Sequence, residues 1–238
     1  MDGILGIGVV LALLLAAGGL IARLGQRQGV AWRWLLVAAG LVLVNDALLT
    51  GAYGLLPDLI PGRWNWQGKL LALAATLAVA ALPAFGWTAS GLTLRQNPSG
   101  LKSALIVAGL YCLLFIGLAL AFPNEPASVE TIAFQLTLPG LEEEAFYRGV
   151  LLLALDRAFF ARVRFVGVDW GWGAVLSCAL FGLAHALGVS HGALAFDPMT
   201  MALTAGPSLI GVWIRLRTGS LLLPIVIHNV GNAASLFL

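Results

Sequence analysis

Three short clusters hold the groups best suited to chemistry. The stretch "LPGLEEEAFYRGVLLLAL", residues 138–155, sets Glu142, Glu143, Glu144 and Arg148 in an otherwise apolar run. "FGLAH" places His185 four residues after Phe181, and "HNVGN" places Asn232 four residues after His228. Glu144 and Arg148, at i and i+4, share a helix face and can pair. Glu143 is turned from Glu144 by about 100°, which leaves it free to act as a general base. His228 and Asn232 also share one face. A carboxylate base, an imidazole partner and a second imidazole with an amide donor are the parts needed for water to attack a peptide carbonyl, the donors holding the oxyanion. A plainer reading stands beside each cluster. Acids at a helix start suit the dipole, which fits Glu142 after Pro139 and Gly140. A lone histidine can be a packing residue, and His228 with Asn232 can be an interhelical contact. The chain has no HExxH pair.

The elements that must position these groups are membrane helices. Of 238 residues, 60% are hydrophobic and 10% charged, and the mean hydropathy is +0.95. Soluble domains carry roughly 25% charged residues. A net charge of +2 gives no support to a nucleic-acid partner. Apolar runs suited to a bilayer core fall near 3–22, 34–56, 69–90, 103–122, 131–155, 171–190, 200–214 and 220–237. The expected fold is therefore all-α, a polytopic bundle of about eight transmembrane helices folded as one membrane domain. The first run has no basic residues before it, and Arg23 and Arg27 follow it, so it reads as a first span rather than a cleaved signal. Ten of the thirteen Lys/Arg residues lie on odd-numbered loops, which places both termini outside. Arg63 and Lys69 fall on even-numbered loops, and Arg148 lies inside the fifth run.

Ionisable groups inside a span cost about 2.5–3.5 kcal/mol each on insertion scales and default to functional candidates. Asp46, beside Asn45 near the middle of the second run, meets that description and is expected to pair with Arg148, to line a water path or to join two helices. His191 and Asp197 read as loop residues, Asp156 and Arg157 as interface charges, Asp2 and Asp58 as solvated. Trp64 and Trp66 read as an interfacial turn, Trp170 and Trp172 as an aromatic belt. Cys112 and Cys178 read as apolar packing residues. "FPNEPASVE", 122–130, is the clearest polar loop.

The three clusters, in this order, resemble the CPBP family of intramembrane endopeptidases, also called the type II CAAX prenyl protease, Abi or lysostaphin-resistance-protein-A-like family. Its pattern of EExxxR, FxxxH and HxxxN is matched by "EEAFYR" (143–148), "FGLAH" (181–185) and "HNVGN" (228–232). The resemblance spans about residues 131–236, and residues 1–130 carry no motif matched to it. It implies that Glu143 and His185 activate water and that His228 and Asn232 hold the oxyanion. It also implies that Glu144 and Arg148 organise the site and that Phe181 packs there as a substrate-binding residue. The implied substrate is a membrane-anchored or lipid-modified protein or peptide. The implied setting is a multi-pass protein in the lipid bilayer, expected to be a prokaryotic inner (plasma) membrane. The spans put the site centrally or in the outer half of the bilayer, which fits cleavage of an exported protein's C-terminal anchor during sorting. No cofactor is expected. The alternative is a zinc enzyme using Glu143, His185 and His228, which would leave a fourth position for water. A non-enzymatic transporter or scaffold is the other alternative. Oligomeric state is left open.

Overall fold

A computed structural model describes residues 2–24, 29–122, 127–190 and 192–237. Arg27, residues 123–126 of the polar loop and His191 lie outside the described residues. The first half contains α1 (Asp2–Leu24), α2 (Trp32–Leu49), the one-turn α3 (Gly51–Gly54), α4 (Trp66–Ala81) and α5 (Pro98–Ala121). The second half begins with α6 (Val129–Gln135) and α7 (Leu138–Glu143), then a π-helical segment (Glu144–Leu151) and α8 (Leu152–Ala158). A hairpin of β1 (Arg162–Phe165) and β2 (Val168–Gly171) leads into α9 (Trp172–Ala186). A second hairpin, β3 (Leu187–Ser190) and β4 (Ala193–Phe196), precedes α10 (Pro198–Thr218) and α11 (Leu222–Ala233).

Each apolar run folds as helix, but not each as one full span. By length and composition α1, α2, α5 and α10 are long and apolar enough to cross a membrane. The third, sixth and eighth runs give shorter apolar helices, and the fifth is divided among α6, α7, the π segment and α8. Two hairpins also qualify the all-α expectation. The belt residue Trp170 lies in β2, and the sixth run leaves the helix at Ala186 to enter β3. In the first hairpin Arg164 stands opposite Asp169 and pairs with it at 2.9 Å. Its turn uses positive φ at both Val166 and Gly167, the backbone that a two-residue hairpin requires.

Local chemistry sets the helix starts. Asn65 caps α4 by accepting from Gly68 N–H at 2.9 Å. Asn97 precedes Pro98 and caps α5, and Ser128 caps α6, as short polar side chains do. Asp197 caps α10, accepting from the N–H groups of Met199 and Thr200. The Thr200 hydroxyl and backbone N–H hold the Asp197 carboxyl below its ordinary range. Arg215 and Arg217 extend that helix rather than lying in a loop after it.

The main core joins the two halves. Leu14, Leu35, Val150, Leu151, Leu155 and Phe159 are buried together in it. Large apolar side chains on α1 and α5 remain exposed, as helix faces turned to lipid must be. The Trp64–Trp66 turn docks on α6: Trp64 stacks on Phe134 with centroids 5.1 Å apart, and Glu130 accepts from Arg63 N–H and Trp66 Nε1–H.

One close approach sets the site. Gly140 on α7 donates its N–H to Asn229 Oδ1 on α11 at 2.9 Å. A Cβ on Gly140 would lie 2.2 Å from that oxygen and 3.0 Å from Ile225 O. Gly140→Ala is therefore expected to lower stability by about 1–3 kcal/mol through overpacking, read as a lower thermal midpoint in detergent. Gly8→Ala is the control. Nothing lies within 4 Å of that added Cβ, and helix propensity predicts a gain of about 0.5–1 kcal/mol.

Candidate active site

The fifth run breaks its α-helix where the charges stand. Glu143 is the last residue of α7, and the π segment begins at Glu144. π-helical turns inside α-helices are frequent at functional sites. The wider turn still brings Glu144 and Arg148 together, with Arg148 NH1 3.3 Å from Glu144 Oε1 and both side chains 3% exposed. The expected i, i+4 pair is present.

α11 lies across this segment and brings His228 between two carboxylates. Its Nδ1 is 2.7 Å from Glu144 Oε1. A carboxylate accepts, so Nδ1 carries the proton. Its Nε2 is 3.4 Å from Glu143 Oε2, longer than a well-formed hydrogen bond. At the end of α9, His185 Nδ1 donates to Phe181 O at 2.8 Å. In the neutral ring that bond fixes the tautomer and leaves Nε2 as the acceptor. Phe181 is buried. Its ring centroid lies 4.3 Å from Arg148 Cζ and 4.6 Å from the His185 ring. A guanidinium over an aromatic face is attracted by the ring quadrupole.

Glu143, Glu144, Arg148, Phe181, His185, His228 and Asn232 all line one cavity of about 240 Å³. Every site residue expected from the sequence is thus brought to the same place, from three separate stretches of chain. His185 and Asn232 are exposed, whereas Glu144 and Arg148 are buried. Among the described residues no three His, Cys, Asp or Glu side chains gather in a metal-binding arrangement. Glu143 Oε1 and Nδ1 of each histidine have other partners, so in the zinc alternative Glu143 Oε2 and the two Nε2 atoms would be the ligating atoms.

Three placements depart from expectation. Glu142 is not a bystander at a helix start; its side chain is fully buried and paired with Lys69 at 2.6 Å. Lys69 is not a loop residue but lies in the first turn of α4, also 2.6 Å from Glu143 Oε1. Asp46 does not reach Arg148, which pairs with Glu144. It accepts from Tyr53 Oη at 3.0 Å and lines a second cavity with Asn45 and Tyr147. The signal for Lys69 was present in the sequence, since three carboxylates in one apolar run beside a single arginine call for another cation. Asn229 carried no such signal, because its role depends on the approach of α7.

The buried Glu144–Arg148 pair sets one expectation. Arg148→Ala leaves a buried carboxylate without its cation, and loss of one partner costs about 3–5 kcal/mol. Arg148→Lys keeps the charge but loses the planar stack on Phe181 and is expected to lose less. Thermal unfolding of both variants in detergent checks the order.

Residues 125–234 match the family model described as type II CAAX prenyl endopeptidase Rce1-like. The match contains every motif residue named above and bears out the family resemblance; Lys69 lies outside it. Neither the curated proteins nor the solved structures compared with the chain gave a match.

Proposed function

We propose that this chain, a type II CAAX prenyl endopeptidase family member over residues 125–234, hydrolyses a peptide bond in a membrane-anchored or lipid-modified protein by an attacking water. The observation that carries the reading is the convergence of Glu143, His185, His228 and Asn232 on one cavity. The role we assign is C-terminal processing of exported proteins. A cavity of about 240 Å³ suits a short extended segment of chain rather than a folded domain.

In this reading water sits between Glu143 Oε2 and His185 Nε2. Glu143 takes its proton as the oxygen attacks the carbonyl carbon, a role for which a positioned base supplies about 10²–10⁴-fold. The carbonyl oxygen becomes an oxyanion, held by Asn232 Nδ2–H and, in the doubly protonated ring that donates from both nitrogens, by His228 Nε2–H. The long 3.4 Å contact of Nε2 with Glu143 leaves that nitrogen able to turn to substrate. Glu143 then returns the proton to the leaving amine as the C–N bond breaks. Glu144 and Arg148 hold His228 and Phe181 in place. No metal is assigned to the reaction.

The test uses purified protein in liposomes and a fluorogenic peptide bearing a farnesyl-cysteine CAAX end. Glu143→Gln is expected to lower kcat by about 10²–10⁴-fold with folding preserved, and His185→Ala by about 10²-fold. Full activity in folded Glu143→Gln would end the assignment. Activity is also expected to survive 1,10-phenanthroline; loss restored by added zinc would favour the metal reading.

A further inference from the structure

The half of the chain that carries no family motif supplies a charge to the site. Lys69 Nζ stands 2.6 Å from Glu142 Oε2 and 2.6 Å from Glu143 Oε1, and its side chain is 13% exposed. Its position is costly by other measures. It lies in the first turn of α4, where the helix dipole disfavours a cation. It is also a lysine among apolar helices. The two carboxylates offset both costs, and they reach Lys69 from a helix that follows it by more than sixty residues. The start of α4 is held independently, by the Asn65 cap and by the packing of Trp64 and Trp66 on Phe134. The ammonium is therefore presented from a fixed point.

A structural ion pair would need only Glu142, which is fully buried and does not line the active cavity. Lys69 also binds Glu143, and through one oxygen alone. That contact divides the Glu143 carboxylate. Oε1 is tied to Lys69, and Oε2 is left towards His228 and the cavity. We propose that Lys69 is a positioning residue that, with Glu142 as its anchor, orients Glu143 so that Oε2 is the oxygen that takes the proton from water. The inference rests on the functional reading above and names the residue outside the matched segment on which that reading depends. An ammonium with three donors can hold two carboxylates at once, and its compact charge fits a contact to single oxygens better than a planar guanidinium does.

The experiment separates positioning from folding. Lys69→Met leaves Glu142 buried and unpaired, so it is expected to lower both the thermal midpoint and kcat. Lys69→Met combined with Glu142→Gln removes the unpaired charge. Its midpoint should return towards wild type while kcat stays about 10²-fold down, the scale of a misplaced catalytic group, with KM within about threefold. Recovery of kcat together with stability in the double variant would make Lys69 merely structural and overturn the proposal. Wild-type kcat in folded Lys69→Met would overturn it as well. Lys69→Arg keeps the charges paired and decides the matter if neither Met variant folds. Its kcat should fall about three- to tenfold at unchanged KM and midpoint, because the longer, forked group shifts Glu143; an unchanged kcat refutes the idea. The probe is the farnesylated fluorogenic peptide in liposomes. Loss of activity in Glu143→Gln but not in the Lys69 variants sinks this inference alone. Full activity in Glu143→Gln, or no cleavage by wild type, sinks the functional reading and this inference with it.

Discussion

Three consecutive carboxylates in an apolar bundle must each find a partner, and the site is arranged around that need. Glu142 meets Lys69 from α4, Glu143 meets Lys69 and His228, and Glu144 meets Arg148 and His228. An uncompensated charge in this setting costs several kcal/mol. The helices that carry these partners are therefore held to fixed positions relative to α7 and the π segment. The partners come from both halves of the chain, so the charges tie the motif-bearing half to the half without a motif.

The same constraint divides the three glutamates by role. Glu142 is turned away from the cavity and anchors Lys69. Glu144 is buried against Arg148 and orients the His228 ring through Nδ1. Glu143, at the junction of α-helix and π-helix, keeps one oxygen towards the cavity. A water-activating site needs such a separation, because a carboxylate with both oxygens tied has no acceptor left for the proton. Phe181 completes the arrangement without charge. It covers Arg148 with its ring, and its carbonyl fixes the His185 tautomer.

The motif spacing was legible because helix periodicity is local. Glu144 with Arg148, Phe181 with His185 and His228 with Asn232 are all i, i+4 sets, and each falls where its helix face predicts. That the three sets share one cavity followed from the resemblance and from the chemistry they have in common. The structure places them there. Lys69 was read as a loop charge because run boundaries on an apolar chain are soft and α4 begins only three residues before it. Which partner Asp46 takes was not legible, because Tyr53 sits in a one-turn element with left-handed backbone that no periodicity announces. The hairpins were missed for a similar reason: β3 continues an apolar run, and hydropathy alone does not separate a short strand from the end of a helix. The fifth run was read as one span, and its charges coincide with a change from α- to π-helical winding that hydropathy does not announce.

The central claim is that Glu143 activates water and does not itself attack the peptide carbonyl. Repeated turnover of the farnesylated peptide in ¹⁸O-water, followed by mass spectrometry of both the product and the protein, tests it most directly. The account predicts label in the new C-terminal carboxylate and none in the peptide containing Glu143. Label accumulating in the Glu143 carboxylate would reveal a covalent anhydride and contradict it.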